Sequence, residues 1–240
     1  MADKTVIITG ASQGIGAGVT NGFLKRGYNV VATSRRVSQS AEIKSSDHLA
    51  RVDGDIADPA TADGVVKTAL ARFGSIDALV NNAGIFFTKP FVDYTIEDYR
   101  RLAATNLEGF LHLTQRVVRR MMAQNSGGSI VSITTSLVDH PIAGVNASVA
   151  MLTKGGIEAM SKSIAMEYAG QHIRANTVAP GMVDTPLQKD NPKDFLKTLA
   201  PMHSISSIGE IVDAVLFLTE APHITGEVLH VDGGAHLGRW

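Results

Sequence analysis

The stretch Thr9-Gly10-Ala11-Ser12-Gln13-Gly14-Ile15-Gly16 has the residue types and spacing that suit a phosphate ligand. It succeeds an apolar run that ends at Thr9 and opens a helix expected to begin at Ile15. Gly10 permits a tight strand-to-helix turn, Gly14 lets the backbone approach a pyrophosphate, and Gly16 lets the helix lie against a sheet, with phosphates over the helix N-terminus. Alone, such a cluster is equally a glycine-rich turn without a ligand, so its meaning depends on the residues farther along the chain. Asn106 is the second residue of note, because it lies on the apolar stripe Leu102, Phe110, Leu113, Val117, Met121 of a long helix. A polar side chain there must find partners inside the protein, as a core amide or as a site residue.

An alternation of strand and helix must position these residues. The apolar runs predict strands over 5–9, 29–33, 49–52, 78–80, 129–133, 173–178 and 227–231. Helices are expected over 15–26, over 59–73 with Pro59 near the first turn, and from a Thr95/Asp98 capping box to Gly127. Two more are expected over 147–169 and 209–219. The serine-rich run from Ser34 to Asp47 suggests no helix, and 182–207, with Pro186, Pro192 and Pro201, reads as an irregular lid.

The chain has 240 residues, 44% of them hydrophobic, and no linker, so a single domain over 1–240 is expected. Lys and Arg number 22 against 23 Asp and Glu, which leaves no overall field to draw nucleic acid or an acidic membrane. Neither is expected as a partner. There is no cysteine, which excludes disulfides, thiolate metal sites and a cysteine nucleophile and fits a reducing compartment. No metal site is expected. A strand beginning close to Met1 leaves no room for a signal peptide, and no apolar run is long enough for a bilayer, so a cytoplasmic location is expected.

The ordered motifs resemble the short-chain dehydrogenase/reductase family along almost the whole chain. Thr9 to Gly16, with Ser12, Gln13 and Ile15 inside it, resembles the family's cofactor turn. Asp55-Ile56 resembles its adenine contact, Asn81-Asn82-Ala83-Gly84 its fourth-strand motif, and Asn106-Leu107 its helix-four asparagine. Gly128 to Ile133, Pro180-Gly181 with Val183 and Thr185, and Gly226 to Gly234 match its later signatures. The resemblance implies one Rossmann-type, doubly wound α/β domain with a parallel seven-stranded sheet. It also implies a nicotinamide coenzyme, a carbonyl/alcohol substrate pair, and a homotetramer or homodimer assembled through the two long helices. At the end of the second strand an acidic side chain would hold the ribose hydroxyls of NAD(H). Ser34, Arg35 and Arg36 stand there instead, suited to a 2′-phosphate, so NADP(H) is favoured over NAD(H); solvated loop arginines are the plainer alternative.

The family's chemistry needs a tyrosine four residues before a lysine, on one helix face, so that the ammonium lowers the phenol's pKa. Lys154 matches the lysine, but Ala150 stands at the tyrosine position, and no other tyrosine sits four residues before a lysine on this helix. Either Thr135 or Ser136 matches the substrate-binding serine, and Asn106 would anchor a relay water through its backbone. Two surrogate proton donors are open: a water in the space beside Ala150, held by Lys154 and Ser136 or Thr135, or His140. For His140 an ordinary pocket-rim or surface position beside Asp139 is favoured. An NADP(H)-dependent oxidoreductase is the first reading and a coenzyme-binding sensor or structural subunit with little turnover the second. Phe86, Phe87, Tyr94, His140, Met182, Leu187 and Phe195 are expected at the lid and pocket rim and suit a modestly hydrophobic substrate, and Gly233 to Trp240 is expected either against a neighbouring subunit or as a frayed tail.

Overall fold

The computed structural model describes residues 4–188 and 191–238; Trp240 lies outside them. Seven strands form one sheet: β1 (Thr5–Thr9), β2 (Asn29–Ser34), β3 (Leu49–Asp53), β4 (Ala78–Asn81), β5 (Gly128–Ile133), β6 (Ile173–Pro180) and β7 (Val228–Val231). Their order is β3-β2-β1-β4-β5-β6-β7, and every neighbouring pair is parallel. Runs such as Val6-Ile7-Ile8 and Ile130-Val131 are wholly buried, as strands covered on both faces require.

Helices α1 (Gly14–Lys25) and α7 (Ile208–Glu220) cover one face, where Phe23, Ile211 and Val215 join Ile8 and Val30 in one apolar cluster. Helices α2 (Pro59–Phe73), α4 (Gly109–Gln124) and α5 (Ser148–Glu167) cover the other, around Leu79, Leu113, Val117 and Ile130. The strand order reverses between β1 and β4, which opens a crevice beyond their carboxyl ends.

The helix expected from Thr95 is present with its capping box, but it is three pieces in one run: α3 (Ile96–Ala103), a single π-helical turn (Ala104–Glu108) and α4. Asn106 sits in that widened turn, a deformation that apolar periodicity does not reveal. Strand β6 continues two residues beyond its predicted end, to Pro180, and carries the chain to the crevice. The region expected to be an irregular lid contains a 3₁₀ turn (Pro186–Gln188) and a short helix α6 (Lys193–Lys197), and Val183 bridges Ser206. A 3₁₀ turn (Val37–Gln39) also lies in the serine-rich run. Among the described residues no helix is long and apolar enough to cross a membrane.

Leu113 is wholly buried between α4 and the sheet. Leu113→Ala is expected to cost about 2–5 kcal/mol, read from urea denaturation.

Candidate functional site at the ends of β1, β4 and β5

The floor of the crevice is a knot of hydrogen bonds between β1 and β4. The Thr9 hydroxyl accepts the amides of Asn82 (3.0 Å) and Ala83 (2.9 Å), and the Asn82 carboxamide donates back to the carbonyls of Thr9 (3.0 Å) and Gly10 (3.1 Å). So close an approach leaves no room for a side chain at Gly10, where a Cβ would stand 2.8 Å from Ala83 Cα at a φ of +63°. At Gly16 a Cβ would overlap the Gly10 carbonyl itself.

The turn thus presents the first amides of α1 to the crevice. Gly14 N–H has no partner within the helix, and it donates 3.0 Å to the carboxylate of Glu42, which reaches back from the β2–β3 connection. An anionic oxygen therefore already occupies the helix N-terminus, as expected of a position built for a phosphate.

On the far side Lys154 projects from α5, and its ammonium donates to the Ile133 carbonyl at the end of β5 (2.8 Å). Burial pulls its pKa down from 10.5 to about 8, against the opposing charge of Glu158. The amine is close enough to the backbone of the segment leaving β4 that a Cβ on Gly84 would stand 3.3 Å from Nζ and 3.2 Å from Asn106 Oδ1. Asn106 is buried, accepts from Ile85 N–H (2.9 Å), and donates to the Ile85 carbonyl (3.1 Å) and the Thr153 hydroxyl (2.9 Å). Thr153 donates in turn to the Ala150 carbonyl (2.8 Å). The Asn106 side chain thereby ties the β4 connection to α5, one residue before Lys154.

These walls enclose a cleft of about 680 Å³. Gly10, Gln13, Gly14, Ile15 and Gly16 line one end, and Asn82, Ala83 and Gly84 line the floor. Pro180, Gly181, Val183 and Thr185 form the outer wall, while Thr135 and Lys154 close the inner end. Phe86, Phe87, Met182 and Leu187 supply the apolar rim, joined by Ile85 and Leu137.

The remaining predicted residues lie elsewhere. Ser12 gives its carbonyl to the Ser40 hydroxyl (2.6 Å), and Asp55 accepts from the amide of Ala57 (3.0 Å). Ile56 is a core residue under the π-helical turn, where Gly109 packs against it. Ser34 is half-buried with its hydroxyl unpartnered, and Arg35 and Arg36 are exposed at the end of β2. Ser136 is buried in a 3₁₀ turn and does not line the cleft; Thr135, the alternative, does. Tyr94, whose hydroxyl donates to the Phe87 carbonyl (3.0 Å), and the exposed Phe195 also lie off the cleft wall.

The surroundings of Ala150 are corrected, and His140 takes the ordinary surface position favoured for it. The space expected beside Ala150 is closed: the residue is 1% exposed, in an apolar cluster with Leu102 and Ala147 against which Ile85, Phe86, Phe87 and Tyr94 pack. His140 does not line the cleft; its exposed ring lies against the C-terminal segment, where a Cβ on Gly238 would stand 3.0 Å from Nε2. Glu42 carries no signal in the sequence as a site residue, because its partner Gly14 lies 28 positions away, and although Thr9 opens the predicted turn, the partners of its hydroxyl lie more than 70 positions away in the chain.

A glycine turn that exposes helix amides at the switch point of a parallel sheet, with a lysine and a hydroxyl at the cleft's other end, defines a dinucleotide-binding α/β protein. Residues 10–236 match the family model described as enoyl-(acyl carrier protein) reductase. The chain is 35% identical over 236 residues to carbonyl reductase family member 4 of Xenopus tropicalis, covering 98% of each chain. It superimposes on 3-ketoacyl-(acyl-carrier-protein) reductase of Brucella melitensis complexed with NADH with a TM-score of 0.91 at 28% identity, covering 98% of this chain and 100% of that one. A structure of ElxO with NADP bound gives 0.88 at 27% identity over 97% of this chain and 98% of that one. The chain belongs to the short-chain dehydrogenase/reductase family, whose members related to it are oxidoreductases of CH–OH and C=O groups.

The lowered pKa of Lys154 means that the folded protein holds fewer protons than the unfolded chain between pH 8 and 10.5. Stability from this group is therefore lowest below pH 8 and rises through that window, by at most about 3 kcal/mol. Lys154→Met is expected to be more stable than the parent at pH 7, with the gap closing toward pH 10.5 in denaturation curves. Ala150→Tyr, placing a phenol in the closed apolar cluster, is expected to lower stability by about 1–3 kcal/mol in the same assay.

Proposed function

We propose that the protein is an NADP(H)-dependent oxidoreductase acting on a carbonyl/alcohol pair in a modestly hydrophobic small molecule. The observation that carries this reading is the continuity of one cleft from the phosphate-type turn to Lys154 and Thr135. The fit to a dinucleotide rests on the turn itself: side chains are excluded at Gly10 and Gly16, and a carboxylate already stands on the Gly14 amide.

Gly14, Ile15 and their neighbours would hold the pyrophosphate, Asn82 to Gly84 and Lys154 the nicotinamide half, and Ser34, Arg35 and Arg36 a 2′-phosphate. When bound, the coenzyme supplies or accepts the hydride. The protein's own part is to orient the substrate oxygen and handle its proton. Thr135 is the hydroxyl placed to donate to that oxygen. Lys154 is the cleft's acid, and with a pKa near 8 it gives up a proton near neutral pH far more readily than an ordinary lysine. The rim of Phe86, Phe87, Met182 and Leu187 favours an apolar substrate body.

A homodimer or homotetramer through α4 and α5 accords with Leu111, Met122 and the 83% exposed Met166 on those helices. The even charge balance gives nucleic acid no handle. The lack of cysteine accords with a reducing, cytoplasmic setting.

The alternative, a coenzyme-binding sensor or subunit, draws support from the closed surroundings of Ala150. Steady-state NADPH oxidation against ketones, aldehydes and quinones, beside fluorescence titration of NADPH, separates the two. Turnover is expected; tight binding with no turnover on the whole panel would sink the enzyme reading. Arg35→Ala is expected to weaken NADPH by roughly 10- to 150-fold, a charge-assisted contact being worth about 1.5–3 kcal/mol, while NADH changes little; equal loss for both would end the coenzyme assignment.

A further inference from the structure

The cleft has charges that the proposed chemistry does not use. Besides Lys154, three ionisable side chains line it: Lys89 on the segment that leaves β4, and Asp98 and Arg101 on α3. Two of them are engaged with each other. The Lys89 ammonium donates to Asp98 Oδ2 (2.6 Å), and that oxygen also accepts the Thr95 amide (3.0 Å) in the capping box. Arg101 is different. Its neighbour Arg100 pairs with Glu97 on the same helix (3.5 Å), whereas among the described residues Arg101 makes no ion pair and no side-chain hydrogen bond. What holds it is a ring: the guanidinium carbon stands 5.6 Å from the centroid of Phe87, at the cleft's rim. Phe87 is itself fixed, with the Tyr94 ring 6.0 Å away and the Tyr94 hydroxyl donating to its carbonyl (3.0 Å).

An arginine in the last turn of a helix ordinarily answers the partial negative charge of free carbonyls. Helix α3 has no such end, because the chain runs on through the π-helical turn into α4. Neither a carboxylate nor a helix dipole therefore uses this charge. A guanidinium lying beside an aromatic ring keeps its planar fork of donors free, and that fork matches a carboxylate or a phosphate. Over the whole lining the cations Lys89, Arg101 and Lys154 face one carboxylate, Asp98, which Lys89 already occupies. We propose that Arg101 is a specificity-determining residue that binds an anionic group on the substrate, so that the substrate pair is an oxo acid or an oxo phosphate ester and its alcohol. This rests on the oxidoreductase reading for the carbonyl but not for the anion. The carbonyl oxygen lies at Thr135 and Lys154, the apolar body against Phe86 and Phe87, and the anion on the guanidinium beside Phe87.

The test compares kcat/KM for 4-oxopentanoate and its methyl ester, and for hydroxyacetone phosphate and hydroxyacetone, in the parent, Arg101→Ala and Arg101→Lys. In the parent the anion of at least one pair is expected to be favoured about tenfold or more, mostly through KM, and the pair that shows it separates carboxylate from phosphate. Arg101→Ala is expected to remove that preference, with the neutral partner losing much less, and Arg101→Lys to keep part of it. Added salt should shrink the preference in the parent. Equal use of both members of each pair, or a preference that survives Arg101→Ala, would overturn the proposal. Binding without chemistry keeps the two readings apart. In NMR titrations with pentanoate, propyl phosphate and pentanamide, none of which carries a ketone, one of the anions is expected to bind the parent about tenfold tighter than the amide and to lose that margin in Arg101→Ala. Such binding with no turnover of any ketone would support the anion site and end the oxidoreductase reading. Turnover of ketones with anions and amide bound alike would overturn the anion site and leave that reading standing.

Discussion

The hydroxyl of Thr9 holds the site together. It takes two backbone amides from the end of β4, and the Asn82 side chain returns two bonds to the end of β1, so the two strands on either side of the topological switch cannot separate. The other parts of the site build outward from this junction. Gly10 and Gly16 must lack side chains because the strands and α1 crowd there, and the turn amides are left facing the crevice. From Ala83 the chain passes to Ile85, whose amide and carbonyl are both held by Asn106, and Asn106 reaches Thr153 beside Lys154. One hydrogen-bonded network therefore spans the site from the phosphate turn to the amine.

Most of this architecture is legible in the residues. Parallel strands buried on both faces show as unbroken apolar runs, and Val30 to Ala32 or Ile130-Val131 are hard to read otherwise. Capping chemistry marks the start at Thr95 because a capping box is local, needing only residues three apart. The π-helical turn at Ala104–Glu108 is not legible, since one extra residue per turn leaves the apolar stripe nearly intact. The short helix α6 is hidden by the prolines on either side of it, one of which, Pro192, immediately precedes the helix.

The site divides in the same way. Glycines, Asn82 and Lys154 announce themselves through motifs along the chain, and they line one cleft. Spacing does not decide between Thr135 and Ser136, because the choice depends on where β5 gives way to a 3₁₀ turn that draws Ser136 inward. The surroundings of Ala150 differ from expectation for a related reason. Removing a phenol suggests a polar hollow, but the neighbouring aromatic and aliphatic side chains close over the methyl group, as dense packing favours.

Glu42 gives the glycine turn a tenant of its own. A tethered carboxylate is present at its amide at an effective concentration of roughly millimolar order, so an incoming phosphate group takes the place by exchange rather than by filling free space. The amide is never left bare, and the turn keeps its shape between occupants. Two further bonds hold the same connection: the Ser40 hydroxyl donates to the Ser12 carbonyl ahead of α1, and the Asn21 carboxamide on α1 donates to the Glu42 backbone carbonyl. A group that displaces the Glu42 carboxylate therefore leaves the connection between β2 and β3 held by these two bonds.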